Sequence, residues 1–321
     1  MTLPELKDFY TGNLGWLADR TIFCTVHGSQ AYGTNLPGSD TDVKGVCVPP
    51  KEYYFGHDMT FEQAEQSEPD MVVYSLKKFM ALAANCNPNI IEVLFTDREH
   101  WIEWTDAGLK LWRNRRLFLS KKAKHTFSGY AMAQLKRIKG HKAWLLNPPT
   151  HQPTREEFGL SVESKVSASA MGAMTSLEAD GHTFDQSVMR LLGQERAYHT
   201  ALTQWKQYKN WEKSRNVKRA ALEAEHGYDT KHAMHLVRLM RMGEEILTTG
   251  EVLVKRPDAS ELLEIRAGAW SYDKLIAWAE TQDQKLTRLY ERHSREQELP
   301  NKPDQKALRQ LCIEITEGMV R

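Results

Sequence analysis

The sequence predicts an α+β fold: a small sheet-bearing domain over residues 1–105, then a mostly α-helical domain over residues 106–321. Three observations carry that reading. Two short runs rich in β-branched and aromatic residues, Ile22-Phe23-Cys24-Thr25-Val26 and Val43-Lys44-Gly45-Val46-Cys47-Val48, are bounded by Gly, Ser or Pro, as strands are. A third such run, Asp70-Met71-Val72-Val73-Tyr74-Ser75, follows. From about residue 120 breakers become rare and apolar positions recur at intervals of three and four.

In chain order, Leu6, Phe9, Tyr10, Leu14 and Leu17 stand near helical spacing over residues 4 to 18, with Pro4 suited to a first turn. The first strand runs into His27-Gly28-Ser29. Gln30 to Gly38 then holds the turn formers Gly33, Asn35 and Pro37-Gly38. Pro49-Pro50 ends the second strand, and residues 51 to 69 read as a short helix and a polar loop. Ser75 is a good N-cap for a helix reaching Asn85. Trp101 to Leu119 reads as a crossing helix at the seam between the domains. Lys121 to Leu146 is a long helix that Pro148-Pro149 stops. Residues 147 to 160 form a long loop, 161 to 181 hold a short helix, and 184 to 225 form one long helix or two. Asp229 to Leu247 is amphipathic, and Val252-Leu253-Val254 is a short β-like segment. Ser260 to Ala267, Tyr272 to Glu298 and residues 303 to 317 are further helices.

Composition bounds the class. The chain is 41% hydrophobic and 26% charged, as globular proteins are, with 43 Lys plus Arg against 42 Asp plus Glu. That balance gives no global signal of nucleic-acid binding but leaves room for a local basic patch. Cys24, Cys47, Cys86 and Cys312 form no Cys-x-x-Cys and read as reduced thiols of a cytoplasmic protein. No signal-peptide pattern opens the chain, and no stretch approaches the ~18 apolar residues of a membrane span.

The chemistry concentrates around Ser39-Asp40-Thr41-Asp42-Val43. Residues two apart in a strand share a face, so Asp40 and Asp42 point the same way and reach a common cation. Adjacent carboxylates repel, and a divalent cation relieves the repulsion; Mg²⁺ takes one or two carboxylates and completes its shell with water and phosphates. Gly28 lets a phosphate approach the backbone, and Ser29 adds a hydroxyl and an N–H donor. A hairpin with an Asp-rich turn is the plain structural alternative. Asp70, at the head of the third strand, and Glu92 are the rival candidates for a third carboxylate on a second ion.

A second constellation lies downstream. Lys231-His232-x-x-His235-x-x-Arg238 places Lys231, His235 and Arg238 on one helix face, where they can hold a triphosphate. His232 and His235 suit a metal poorly at their spacing. Arg137 belongs to a polar stripe, with Gln134, His141 and Lys142, on the helix before it. Trp205, Tyr208 and Trp211 interleave with lysines in a pattern that suits either a helix core or single-stranded RNA.

Gly28-Ser29 followed by Ser39-Asp40-Thr41-Asp42-Val43 resembles the signature of the polymerase-beta-type nucleotidyltransferase superfamily. The fuller run from Gly28 to Asp42 resembles its RNA-ligase-associated branch, proposed to act in RNA repair. The likeness extends through Tyr74-Ser75-Leu76-Lys77-Lys78-Phe79, Asn87-Pro88-Asn89-Ile90-Ile91-Glu92, Asn147-Pro148-Pro149 and Tyr228 to Leu236. It implies a mixed sheet and transfer of a nucleoside monophosphate from a nucleoside triphosphate to a hydroxyl, with two Mg²⁺ or Mn²⁺ ions on Asp40, Asp42 and Asp70. An RNA end, such as a broken tRNA, is the implied acceptor. A protein or small-molecule acceptor, as in AMP-transferring antitoxins, and an inactive binding module are the alternatives.

Overall fold

The computed structural model describes residues 12–162, 166–182, 184–215, 217–291 and 299–320. Most of the helix expected over residues 4 to 18 lies outside them; within them Leu17–Arg20 forms a short helix, α1. The chain then alternates strand and short helix: β1 (Thr21–His27), α2 (Gly28–Tyr32), β2 (Asp42–Cys47), α3 (Glu52–Phe55), β3 (Gln63–Ser67) and β4 (Asp70–Ser75). Next come α4 (Leu76–Ala84), α5 (Pro88–Phe95), β5 (Trp101–Trp104), α6 (Asp106–Arg113) and α7 (Ala123–Leu146). The helices α8 (Ala168–Ala179), α9 (Gln186–Ser214), α10 (Val217–His226), α11 (Thr230–Thr249), α12 (Ala259–Arg266), α13 (Tyr272–Glu291) and α14 (Gln305–Val320) complete it.

The fold is α+β, with a mixed five-stranded sheet in the order β3-β4-β2-β1-β5. β1 pairs antiparallel with β2 and β5, β3 pairs antiparallel with β4, and β2 runs parallel to β4. Because β2 and β4 are parallel and Val43 is opposite Met71, their first residues, Asp42 and Asp70, open the same end of the sheet. Alternation puts Val43, Cys24, Met71 and Val73 on the other face, where they join Leu17, Cys47 and Ala64 in a buried apolar cluster. Local signals set the helices that frame the sheet. Ser75 Oγ accepts from Lys78 N at the start of α4, and Asn87 caps α5 ahead of Pro88. Gly108 in α6 lies so close to β1 that a Cβ there would stand 1.9 Å from the Ile22 carbonyl oxygen.

Three expectations are corrected. Residues 63–67 are an edge strand rather than loop. Their sequence, Gln-Ala-Glu-Gln-Ser, is polar because the edge buries only Ala64. The segment 101–119 is not one helix: Trp101–Trp104 pairs with β1, Thr105 caps α6, and a 3₁₀ turn over Arg115–Phe118 follows. Residues 252–254 form no strand; Val252 and Val254 are buried in irregular chain.

By packing, the chain divides into residues 1–138 with 230–321, and residues 139–229. Within the first unit α11 packs on α12 and α13, and α14 on α4 and α6. Residues 139–229 are held by buried Leu160, Leu192 and Tyr208, by a cluster of Trp144, Tyr208 and Trp211 rings, and by a bidentate Arg155–Glu195 ion pair at 2.6 and 3.0 Å. All four cysteines are unpaired thiols. No helix among the described residues is long and apolar enough to cross a membrane.

Candidate active site

β1 ends at His27, opposite Asp42 in the antiparallel register, and the chain turns at once into α2. Gly28 makes that turn at φ +68°, a conformation L side chains rarely adopt. It also yields its space: a Cβ there would stand 1.8 Å from Asp42 Oδ2. The glycine therefore seats the carboxylate. Gln30 Nε2 donates to Thr41 Oγ1 at 2.8 Å, tying α2 to the segment that carries Asp40 and Asp42. Ser39 Oγ accepts from Leu36 N at 2.9 Å and so closes the turn.

Asp42 is half-buried, and Asp40 and Asp70 are exposed. Burial raises the Asp42 pKa, Asp70 and Asp40 raise it further, and Lys44 and Lys231 pull the other way. Asp70 and Asp40 thus both act on Asp42. Lys44, two residues beyond Asp42 on β2, takes the same face; burial lowers its pKa, against the pull of Glu92, Asp42 and Asp70.

Behind the acids is a closed polar cage. Glu92, on α5, is fully buried. It accepts from Tyr32 Oη at 2.5 Å and Arg238 Nη1 at 2.5 Å, and His27 Nε2 stands 3.2 Å away. The Arg238 guanidinium lies 3.8 Å from the Tyr32 ring centroid. Burial opposes ionisation of Glu92, but Arg238, with His27 and Tyr32, holds it well below the usual carboxylate range. Arg238 is itself buried. Its Nη1 is engaged by Glu92 inside the protein.

His232 is buried and His235 half-buried on α11, beside half-buried Lys231. Burial, then Arg238, Lys231 and His232, push His235 down to about 3, so it is neutral near pH 7. Arg137 is exposed on α7. Ser29 is partly exposed in the first turn of α2. The structure thus gathers Asp40, Asp42, Asp70, Lys44 and Lys231 electrostatically, and draws Glu92 and Arg238 into a separate pair. His27, Gln30, Tyr32 and Lys44 are additions to the residues the sequence singled out. Lys44 had a legible signal: it stands two residues past Asp42 in the run that reads as a strand.

The cage makes stability depend on pH. Burial, then Lys44, push His27 down to about 4, below the 6.5 of a free histidine. The unfolded chain therefore binds the extra proton between those values. Stability is complete above about pH 6.5 and falls as pH drops towards 4, by on the order of 3 kcal/mol from His27. His235 acts in the same direction. Urea midpoints measured from pH 7.5 to 4.5 should decline through this window; a flat profile would contradict a neutral, buried His27.

Residues 7–145 match the model of a family described as the RNA repair pathway DNA polymerase beta family. The match takes in Gly28, Asp40, Asp42, Lys44, Asp70 and Glu92 and stops before α11. The chain is also similar to an uncharacterized 38.9 kDa protein of Enterobacteria phage T4, 25% identical over 283 residues, covering 78% of this chain and 83% of that protein. An uncharacterized protein of Bacillus subtilis, YcgL, is 30% identical over 91 residues, 27% of this chain and 35% of its own length. No solved structure matches the chain.

Proposed function

We propose that the chain, whose residues 7–145 match the model of the RNA repair pathway DNA polymerase beta family, is a divalent-metal-dependent nucleotidyltransferase that moves a nucleoside monophosphate from a nucleoside triphosphate to a hydroxyl at an RNA end. The observation that carries the reading is the common end of β2 and β4. Asp42 and Asp70 open neighbouring parallel strands there, and Asp40 lies two residues before Asp42.

The residues fit a hard cation. Asp40, Asp42 and Asp70 offer oxygen donors alone, as Mg²⁺ and Mn²⁺ prefer, and Gly28 leaves the space that Asp42 fills. Bound there, the ions would polarise the reacting phosphate and lower the pKa of the acceptor hydroxyl. The chain's own part is placement. The sheet holds the two strand-opening acids in register, the Gly28 turn fixes Asp42, and Lys231 adds positive charge beside it. Ser29 offers its hydroxyl from the adjoining turn. Catalysis of this kind is positioning and electrostatics rather than covalent chemistry by the protein. The RNA acceptor is supported by the family's description and by nothing closer.

The test supplies labelled ATP, CTP, GTP and UTP in turn, with Mg²⁺, to mixtures of total cellular RNA and protein. Label should enter RNA and be lost on chelation. Label in protein alone would replace the RNA acceptor by the antitoxin-like alternative, and no label in any polymer would count against transfer altogether.

A further inference from the structure

Lys44 is the charged group on the acidic face for which the site has no settled partner. It sits mid-sheet, between Thr25 of β1 and Val72 of β4, on the face that carries Asp42. It is half-buried. Among the described residues, no hydrogen bond and no ion pair within 4.0 Å takes its ammonium. A half-buried ammonium that no carboxylate holds within ion-pair distance is placed to receive an anion that reaches this face.

The surrounding charges say which kind. Its acidic neighbours are Glu92, Asp42 and Asp70. Glu92 is already committed to Arg238, Tyr32 and His27. Asp42 and Asp70 are the groups that divalent ions would occupy. Asp40, Asp42, Asp70 and Glu92 outnumber Lys44, Lys231 and Arg238 by one. Two divalent ions turn that deficit into a positive surplus. The face then attracts a compact polyanion, and Lys44 presents it with a point charge, the way lysines commonly hold phosphates.

We propose that Lys44 is a triphosphate-binding residue of this site, its ammonium receiving phosphate oxygens of the incoming nucleotide when divalent ions hold Asp42 and Asp70. The proposal rests on the nucleotidyltransferase reading above. The competing role is a structural counter-ion that merely keeps the acids from repelling one another. The two roles differ in the metal-free protein, because a counter-ion is needed there and a phosphate ligand is not.

The experiment compares the full-length wild type with Lys44→Met, Lys44→Gln, Lys44→Arg and Asp42→Asn, using three readouts. Urea denaturation without metal reports folding. Electron paramagnetic resonance of Mn²⁺ alone reports the acids. Calorimetric titration with magnesium tripolyphosphate, which carries no base, reports the anion. Lys44→Met and Lys44→Gln should fold as well as the wild type, bind Mn²⁺ equally or more tightly, and bind tripolyphosphate at least tenfold more weakly. Lys44→Arg should recover most of that loss. Wild-type tripolyphosphate affinity in Lys44→Met, or a lower urea midpoint in both neutral variants, would overturn the proposal in favour of the counter-ion. Mn²⁺ binding that ignores Asp42→Asn would instead bring down the metal-dependent reading, and the lysine's role with it.

Discussion

Asp42→Ala should abolish nucleotidyl transfer, by about 10³-fold or more, while leaving the urea midpoint of the metal-free protein unchanged or higher. The two halves of that expectation come from the same fact. Asp42 is the half-buried member of the acid cluster, and burial together with Asp70 and Asp40 penalises its charge in the folded state. A group whose ionised form is penalised by folding gives no stability at neutral pH; removing it relieves repulsion. It opens no core cavity either, because its carboxylate lies over Gly28 at the rim of the sheet. Incorporation of labelled nucleotide and denaturation of the same preparation measure both halves. Full labelling by Asp42→Ala would remove the site assignment, whereas a large drop in stability would mean that the cluster serves the fold.

The opposite result is expected one layer down. Glu92→Ala should cost about 3–5 kcal/mol, because it strands the Arg238 guanidinium in the interior without a counter-charge. Tyr32 loses its acceptor in the same step. Glu92→Gln should cost less, since its one amide oxygen still accepts from Arg238 or Tyr32, though not from both. Pairing Glu92→Ala with Arg238→Met should recover part of the loss, because the stranded charge then goes too. Urea midpoints of the three variants decide the matter. An unaltered midpoint for Glu92→Ala would show that the cage contributes nothing to folding, and would restore Glu92 as a carboxylate held for another purpose. Asp42 and Glu92 thus divide by environment: one acid is kept ionised against its surroundings, the other by them.

How far the sequence disclosed this arrangement depends on the range of the interactions. β1, β2 and β4 were legible because their apolar runs end in Gly, Ser or Pro. α4 and α5 were legible from Ser75, Asn87 and Pro88. β3 was not, because an edge strand with one wet face carries few apolar residues to announce it. β5 was hidden inside a helical pattern; its four residues become a strand only by pairing with β1, far back in the chain. Asp40 and Asp42 were visible as a local pattern. Asp70 was named from its place at the head of the third apolar run; that its strand lies beside β2 and parallel to it is a tertiary fact. Arg238 read locally as part of a cationic stripe with Lys231 and His235. Its engagement with Glu92 is a tertiary fact: spacing along a helix tells which residues share a face but not what the face meets.

The Glu92–Arg238 bond joins residues 146 apart in the chain. During synthesis at roughly 5–20 residues per second, the ribosome completes the sheet and its carboxylate roughly 7–30 s before the guanidinium has been made. Throughout that interval a nascent chain that already holds every strand, with Asp42 and Asp70, lacks the guanidinium that pairs with Glu92 in the finished fold. The polypeptide that first contains the three candidate acids therefore still lacks one member of the buried cage that includes Glu92.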